Sequence, residues 1–404
     1  MINIAVLGYG TVGSGVVEVI NTNHKSINKR SGDEINIKYV LDLRDFPGDP
    51  VEKVLVHDYE VIVNDPEVDI VVEVMGGIEP AHTFVKRALE AGKSVCTSNK
   101  ALVAKHGSEL MEIAREKSIN FLFEASCGGG IPIIRALNSS LTADEIDEIT
   151  GILNGTTNYM LYKMATEECD FDSVLKEAQQ MGYAEADPTA DVEGYDACRK
   201  IAILSSLAYG RFLNYEEIYT EGITKITPAD MEYARELGMS IKLLATSRRI
   251  GEDSFYAMVA PFLVPQSSPL YSVNDVFNAV FVHGNVLGDA MFYGSGAGKL
   301  PTASAVVSDV VDEAKHLHRN IMTNWTSRSL ELMDLDDVKG RFFVRVSDTS
   351  MDTIEKAFGD VQTIEPDNLP EEFGFITPVM SQGEYKEKIA KLDGKVLAMI
   401  RVKD

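Results

Sequence analysis

Short apolar runs alternate with amphipathic stretches along the first 124 residues. The apolar runs predict strands, and the amphipathic stretches, with apolar residues at every third or fourth position, predict helices. The predicted strands are Asn3–Leu7, Ile35–Leu41, Ile70–Glu73, Ser94–Thr97 and Asn120–Glu124, and the predicted helices lie near Ser14–Asn23, Ala81–Ala91 and Ser108–Lys117. Nearly continuous apolar strands separated by helices are typical of a parallel sheet covered on both faces, so we predict an α/β domain.

The pattern changes after three consecutive glycines, Gly128–Gly130. Longer helices and more polar strands follow, with strands predicted at Ile146–Leu153, Phe255–Pro261 and Val280–His283. This mixture indicates an α+β domain with a sheet face available for a partner subunit. A long amphipathic helix, Thr302–Arg319, follows a loop rich in Gly and Pro, and we expect it to return and complete the first domain.

From residue 341 onward the elements are predicted in the order strand, helix, strand, strand, helix, strand, which is the ferredoxin-like motif. They are Phe342–Val346, Asp352–Phe358, Val361–Ile364, Phe373–Val379, Gln382–Lys391 and Lys395–Val402. The predicted domains are therefore residues 1–130, completed by the helix at 302–319; residues 131–301; a linker at 320–340; and residues 341–404.

Charge and cysteine usage narrow the class of protein. The chain carries 62 acidic and 38 basic side chains, a formal charge of −24. Binding to nucleic acid or to an anionic membrane needs clustered Lys and Arg, so we expect neither partner. No leader peptide, apolar run of membrane length or C-x-x-C pair is visible, which is typical of a cytoplasmic protein. Seven histidines include no H-E-x-x-H pattern, so a histidine-held zinc is not expected.

A glycine-rich turn links the first predicted strand to the first predicted helix. It reads Gly8-Tyr9-Gly10-Thr11-Val12-Gly13, the G-x-G-x-x-G pattern of dinucleotide-binding domains. Gly8 allows the tight turn, Gly10 removes a Cβ that would strike the phosphates, and Gly13 lets the helix pack close to the strand. The N–H groups at the helix start then face the pyrophosphate. A strand-to-helix turn without a ligand is the alternative.

A second dense patch begins at Asn154-Gly155-Thr156-Thr157-Asn158 and continues through Gly182 to Lys200. Four acidic residues lie close together there, so a positive group is expected among them: a substrate ammonium, a lysine or a metal. The acidic residues are Glu185, Asp187, Asp191 and Asp196. Asp196 and Lys200 are four residues apart at a helix start and project from one face. They form either an exposed pair of little consequence, or a proton donor, Lys200, with Asp196 as its orienting carboxylate or as a substrate contact.

Three further positions have both a functional and an ordinary interpretation. Lys100 follows the fourth strand, where a side chain can reach the crevice of a parallel sheet, or it is an exposed lysine. The loop from Glu124 to Pro132 offers a carboxylate and several carbonyls for a hard cation, or it is a hinge. The glycine cluster at 294–298 covers the dinucleotide from its other side, or it is a flexible crossover.

Taken together, these patches resemble the homoserine dehydrogenases. The resemblance covers about residues 1–320 through motifs in one order: Gly8–Gly13, Ser98–Leu102, Glu124–Pro132, Asn154–Asn158, Gly182–Lys200 and Gly294–Gly298. It implies a Rossmann domain, a substrate-binding and dimerisation domain, and a homodimer or higher oligomer. The implied reaction is the reversible, NAD- or NADP-dependent reduction of L-aspartate 4-semialdehyde to L-homoserine in threonine, methionine and isoleucine biosynthesis.

The resemblance also implies roles for individual residues. Lys200 would protonate the aldehyde oxygen, and Asp196 would lie beside it and contact the substrate. Glu185, with Gly182 nearby, would bind the substrate's ammonium group. The implied cofactor contacts are Gly8, Gly10, Thr11, Val12, Gly13, Lys100 and Gly298. Glu124 and the backbone carbonyls of Cys127, Gly129 and Ile131 correspond to a monovalent-cation site, usually sodium.

Two positions depart from the family pattern. At the end of the second strand, Asp42 suits the ribose hydroxyl of NAD, whereas Arg44 suits the 2′-phosphate of NADP, and both choices stay open. The tail resembles an ACT regulatory domain, but its ligand loop, Ser347–Met351, lacks the usual Pro and Gly, so threonine feedback is not expected. Two alternative functions remain: a related two-domain reductase of amino-acid metabolism and a non-catalytic NAD(P) sensor.

Overall fold

The computed structural model describes residues 1–403 and forms two compact units. The first unit contains residues 1–145, 202–215 and 292–330, and the second contains 146–201, 216–291 and the chain from Glu331 onward. This division differs from the predicted domains, because segments of the predicted middle domain pack with the first unit. Within residues 1–403, no helix has both the length and the apolar composition that a membrane span requires.

The strands, in chain order, are β1 (Ile2–Leu7), β2 (Ile35–Leu41), β3 (Leu55–Val56), β4 (Ile70–Glu73), β5 (Ser94–Thr97), β6 (Phe121–Leu122), β7 (Ile146–Ile152), β8 (Arg211–Phe212), β9 (Tyr219–Thr220), β10 (Met239–Gly251), β11 (Ser254–Pro265), β12 (Phe277–Gly284), β13 (Gly288–Ser295), β14 (Thr326–Ser329), β15 (Lys339–Ser347), β16 (Gln362–Ile364), β17 (Glu372–Ile376), β18 (Met380–Ser381) and β19 (Lys395–Val402). The helices are α1 (Thr11–Thr22), α2 (His24–Ser31), α3 (Glu60–Val63), α4 (Ala81–Glu90), α5 (Lys100–Glu116), α6 (Ile133–Arg135), α7 (Gly155–Glu167), α8 (Phe171–Gln180), α9 (Thr189–Val192), α10 (Tyr195–Tyr209), α11 (Pro228–Glu236), α12 (Lys299–Lys315), α13 (Met351–Phe358) and α14 (Gln382–Ile389).

The first unit is built on a parallel sheet of six strands in the order β3-β2-β1-β4-β5-β6. This is the strand order of a doubly wound dinucleotide-binding domain, and it confirms the predicted parallel α/β sheet. The central strands β1 and β4 are buried along nearly their whole length, as their continuous apolar sequences predict. The predicted fifth strand, Asn120–Glu124, is shorter than expected, because only β6 pairs and Glu124 already begins a tight helical turn.

Helix α12, which the sequence predicts to return to the first domain, packs against α1 in the first unit. A Cβ built on Gly15 of α1 would lie 2.8 Å from the carbonyl oxygen of Lys299, so glycine permits this close approach. Lys299 Nζ also donates to Glu18 at 2.7 Å. The helix runs from Lys299 to Lys315 rather than over 302–319.

The second unit contains one long mixed sheet in the order β13-β12-β7-β10-β11-β19-β15-β17-β16. Strands β10 and β11 form its longest antiparallel pair, and β7 lies between β10 and β12. The core on this sheet consists of Ile152, Leu244, Met258, Ala260, Phe262, Val264, Leu270, Val273, Ala279 and Val338. The α+β character predicted for this part of the chain is present.

The tail has the predicted βαββαβ order, with the four main strands arranged β19-β15-β17-β16 and antiparallel throughout. It does not form a sheet of its own, since β19 pairs with β11 through Phe262–Arg401 and Leu263–Val402. The predicted linker at 320–340 also contains ordered structure, because β14 pairs with β8 and β15 already begins at Lys339. An unpaired edge of β11 would leave backbone groups exposed, and β19 covers it.

Candidate active site

Lys200 and Asp196 form a buried ion pair on the first turns of α10. Only 8% of Lys200 and 4% of Asp196 is exposed, and Lys200 Nζ lies 2.7 Å from Asp196 Oδ2. The same ammonium group donates to the backbone carbonyl of Leu153, at the end of β7, at 2.7 Å. The pair is therefore not the exposed surface pair that the spacing alone allowed, and its two acceptors fix the ammonium group in position.

Asn154 connects the Lys200–Asp196 pair to Asp191, in the loop that carries the other acidic residues. Its side-chain Nδ2 donates to Asp196 Oδ2 at 2.9 Å and to Asp191 Oδ1 at 2.7 Å. Its Oδ1 accepts the N–H of Thr157 at 2.9 Å and so caps the start of α7. The partly positive amide hydrogens of Asn154 therefore lie between the two carboxylates and offset the repulsion between their like charges. They also place both carboxylates beside the end of β7.

The other two acidic residues of the loop make no hydrogen bond or ion pair with Lys200 or Asp196 within residues 1–403. Glu185 is exposed, and its side chain makes no hydrogen bond or ion pair within residues 1–403. Asp187 is exposed and accepts the N–H and hydroxyl of Thr189, which lowers the pKa of its carboxyl group. Gly182 has a φ of +76° and open space around it. The structure thus brings together Asp191, Asp196 and Lys200, but not Glu185.

The glycine turn of the first unit has the geometry that a dinucleotide requires. Gly8 has a φ of +99°, and a Cβ on Gly13 would lie only 1.9 Å from the carbonyl oxygen of Gly8. A Cβ on Gly10, by contrast, would meet nothing within 4 Å, so open space faces the start of α1. Thr11 and Val12 form the first residues of that helix. The turn therefore leaves room for a pyrophosphate at a helix N-terminus.

Asp42 and Arg44 are the two residues that the sequence leaves open as contacts for the ribose end of the cofactor. They form an ion pair with each other. Arg44 Nε lies 3.0 Å from Asp42 Oδ1, and Asp42 Oδ2 accepts the N–H of Tyr9 at 2.8 Å. The hydrogen bond from Arg44 is the largest cause of the lowered pKa of Asp42. The Arg44 side chain remains 62% exposed, so its guanidinium group is open to solvent, whereas the carboxylate is not.

Two other predicted cofactor positions lie at helix starts in the first unit. Lys100 is the first residue of α5, which Asn99 caps by accepting the N–H of Leu102 at 3.1 Å. Gly298 precedes α12 and has a φ of +117°, a conformation that favours glycine. The neighbouring loop packs against Gly129, where a Cβ would lie 2.5 Å from the carbonyl carbon of Gly296.

Glu124, the predicted cation ligand, is 3% exposed, and burial raises its pKa. Its two carboxylate oxygens accept the N–H groups of Ile134 at 2.9 Å and Arg135 at 2.7 Å. The carbonyl of Ile131 accepts the N–H of Ile133 at 2.9 Å. Each of these oxygens retains a second lone pair, so the donor set still suits a hard cation. Cys127 and Gly129 lie in the intervening loop.

Two residues that support these sites were not assigned a role from the sequence. Asn154 belongs to a quoted motif, and its place between a strand and a helix could have marked it as a cap. Glu73 ends β4 and is fully buried; it accepts the hydroxyl of Thr97 at 2.5 Å and the N–H of Met75 at 2.7 Å. It therefore joins the carboxyl ends of β4 and β5. An isolated carboxylate at a strand end carries no sequence signal for this role.

The chain matches known proteins along most of its length. Residues 8–124 match the family model for the NAD-binding domain of homoserine dehydrogenase, and residues 132–311 match the homoserine dehydrogenase model. A homoserine dehydrogenase of Synechocystis is 48% identical over 317 residues, which are 77% of this chain and 73% of that protein.

Solved structures give the same result. A homoserine dehydrogenase from Thiobacillus denitrificans is 38% identical, with a TM-score of 0.91 over 100% of this chain and 98% of that one. A hyperthermophilic archaeal homoserine dehydrogenase, in complex with NADPH, is 29% identical, with a TM-score of 0.66 over 77% of this chain and 97% of that one. With the parallel sheet, the glycine turn and the buried Lys200–Asp196 pair in place, these similarities show that the chain belongs to the homoserine dehydrogenase family.

Proposed function

We propose that Lys200 is the proton donor when this homoserine dehydrogenase reduces L-aspartate 4-semialdehyde to L-homoserine. The observation that carries the proposal is the buried ammonium group held by Asp196 and the Leu153 carbonyl at 2.7 Å each. When bound, the reduced nicotinamide supplies a hydride to C4 of the aldehyde. Lys200 gives a proton to the oxygen that becomes negative as the hydride arrives, and solvent then reprotonates the amine.

Asp196 orients the donor, and Asn154 orients Asp196. The carboxylate accepts from Lys200 and from the Asn154 amide, so its position is fixed from two directions. Such a fixed donor favours catalysis because the proton does not have to be positioned during the reaction. Glu185 and Gly182 bind the amino-acid end of the substrate in this proposal. The exposed, unpaired Glu185 carboxylate is available for an ammonium group.

The cofactor is held by Gly8, Gly10, Thr11, Val12 and Gly13 at the pyrophosphate, and by Lys100 and Gly298 nearby. We propose NADP as the preferred cofactor, with Arg44 as the contact for the 2′-phosphate. The Asp42 carboxylate is occupied by Arg44 and Tyr9, whereas the guanidinium group is exposed. The archaeal relative in complex with NADPH supports this choice. Replacing Arg44 with Ala should raise the KM for NADPH more than the KM for NADH.

The decisive experiment compares Lys200→Ala and Lys200→Arg with the wild-type enzyme. Removal of the general acid should lower kcat by about 10²- to 10⁴-fold and leave the Kd for NADPH nearly unchanged. The alanine variant leaves Asp196 buried without its partner and can lose stability. The arginine variant keeps the charge but does not release a proton near neutral pH, so it tests the chemistry separately.

A matched control is Lys176→Met, which removes an exposed lysine on α8 of the same unit. Its kcat and KM should remain those of the wild type. The role of Lys200 is rejected if a folded Lys200→Arg enzyme, judged by its NADPH affinity and melting temperature, keeps a kcat within about tenfold of the wild type.

We also propose a monovalent-cation site at Glu124 and the carbonyls of Cys127, Gly129 and Ile131, occupied by sodium. Oxygen-only donors around a buried carboxylate support it. Activity in sodium chloride, compared with tetramethylammonium chloride at equal ionic strength, tests the site. An identical kcat and KM in both salts would contradict it.

The remaining proposals concern organisation. We propose that the first unit, with the returning helix, binds the cofactor, that the parts of residues 131–301 lying in the second unit bind the substrate and form the dimer contact, and that the tail from 341 is ACT-like and serves assembly. The enzyme is a cytoplasmic homodimer or higher oligomer, which sedimentation equilibrium tests. Membership of the family disfavours both a reductase for another substrate and a non-catalytic sensor.

A further inference from the structure

We propose that His82, His106 and Glu109 form a binding site for a divalent transition-metal ion such as Zn²⁺. His82 lies in the first turn of α4, and the other two lie one turn apart on α5. One ligand atom from each residue lies within 4.8 Å of the others. All three residues belong to the first unit, and none of them belongs to the proposed catalytic or cofactor site.

The two spacings between the histidine nitrogens and Glu109 Oε2 fit a tetrahedral ion. His82 Nε2 lies 3.2 Å from Glu109 Oε2, and His106 Nδ1 lies 3.5 Å from the same oxygen. Zinc binds imidazole nitrogen and carboxylate oxygen at about 2.0–2.2 Å, so tetrahedral ligands are separated by roughly 3.3–3.6 Å. Since the two imidazole rings stack nearly parallel, one ring must also turn about its Cβ–Cγ bond before both nitrogen lone pairs face one ion. Two histidines and one carboxylate leave a fourth position open to solvent.

Neighbouring side chains orient the ligands. The other ring nitrogen of His82, Nδ1, faces Glu79 Oε1 at 3.2 Å, and Glu79 Oε2 accepts the hydroxyl of Thr83 at 2.8 Å. A carboxylate on the far nitrogen is the usual support of a metal-binding histidine, because it fixes the tautomer and the ring orientation. Lys86 Nζ donates to Glu109 Oε1 at 2.8 Å and leaves Oε2 directed at the two histidines.

The two imidazole rings are packed but still accessible. They stack with their centroids 3.9 Å apart and an interplanar angle of 17°. The side chains of His82 and His106 are 17% and 22% exposed, so an ion can reach them. Because one ligand comes from α4 and two come from α5, a bound ion would link these helices and stabilise the first unit.

The test uses the full chain after treatment with a chelator. Zn²⁺ is titrated by calorimetry, and Co²⁺ is followed by its visible absorption, which reports tetrahedral nitrogen and oxygen ligands. Wild-type protein should bind one ion at this site and show a higher melting temperature with the ion. Glu79→Gln, which alters only the supporting carboxylate, should weaken binding by about 10- to 100-fold.

His106→Gln and Glu109→Gln remove direct ligands and should weaken binding more than Glu79→Gln does. His24→Gln, an exposed histidine on α2 of the same unit, is the matched control and should leave the Kd unchanged. Equal affinities in wild type, His106→Gln and Glu109→Gln would overturn the proposal. A Co²⁺ spectrum with thiolate charge-transfer bands would overturn it as well, because it would assign the ion to a cysteine.

Discussion

At the scale of single residues, burial decides the charge of several carboxylates. Glu313 lies on α12, is completely buried, and neither of its carboxylate oxygens has a hydrogen-bond partner within residues 1–403. Burial first, and then the neighbouring Asp309 and Asp312, raises its pKa well above 4.5. Glu313 is therefore protonated in the folded chain over a pH range in which it is ionised in the unfolded chain.

This difference makes the stability depend on pH. Above pH 4.5 the folded state binds one more proton at Glu313 than the unfolded state does. The free energy of unfolding therefore falls as the pH rises from there towards the folded pKa, by about 1.4 kcal/mol per pH unit. Between pH 5 and pH 8, the free energy of unfolding of Glu313→Gln should fall by at least about 1 kcal/mol less than that of the wild type. Urea melts at both pH values measure it.

The control for this prediction is Glu116→Gln, an exposed position on α5. Its loss of stability between the two pH values should equal that of the wild type. If Glu313→Gln also loses as much as the wild type, then Glu313 is ionised in the folded chain and finds a partner there.

At the scale of elements, the strand, turn and helix around the dinucleotide site use glycine for two different reasons. Gly13 is required by the fold, since its Cβ would overlap the Gly8 carbonyl. Gly10 is not required by the fold, since its Cβ would enter open space and its φ is −84°. The open space is where the proposed pyrophosphate lies.

The two glycines therefore predict opposite outcomes. Gly13→Ala should lower the melting temperature by several degrees, because the turn or α1 must move. Gly10→Ala should change the free energy of unfolding by only a few tenths of a kcal/mol, yet weaken NADPH binding by about tenfold or more. Thermal melts and fluorescence titrations separate the effects. Unchanged NADPH affinity in Gly10→Ala would argue against the pyrophosphate at this turn.

At the scale of the whole molecule, the tail is a structural part of the second unit. Arg345 on β15 lies 2.7 Å from Asp230 on α11 and 2.8 Å from Glu372 on β17, and all three side chains are largely buried. Asp230 also forms the capping box of α11 with Thr227. The ion pairs and the continuous sheet therefore attach the tail to the rest of the second unit.

Removing the arginine should be strongly destabilising. Arg345→Met leaves two buried carboxylates without their cation and should lower the free energy of unfolding by about 3–5 kcal/mol. Lys356→Met, which breaks the exposed pair with Asp352 on α13, should cost no more than about 0.5 kcal/mol. Denaturant melts of both variants make the comparison. If Arg345→Met and Lys356→Met have equal free energies of unfolding, the ion pairs of Arg345 do not stabilise the folded chain.

Much of this protein follows from the sequence alone. Five of the six strands of the first sheet were predicted, and the short β3 was not. Those five strands, the glycine turn, the strand and helix order of the tail and the Asp196–Lys200 spacing are local patterns, because each depends on residues within a few turns of one another. Local patterns also sufficed to identify the family. The lengths of the strands were less well predicted, because pairing with a neighbouring strand decides where a strand ends. Strand β6, for example, is shorter than the predicted Asn120–Glu124.

Tertiary structure decided the rest, because it depends on contacts between distant residues. Asn154 and Asp196 are 42 residues apart, and only folding places the amide on the carboxylate. His82 and Glu109 are 27 residues apart, which is why a histidine-containing metal site was not expected from the sequence. The pairing of β19 with β11 depends likewise on strands more than a hundred residues apart. The residue pattern determined the elements, and burial against distant neighbours decided which charged side chains meet.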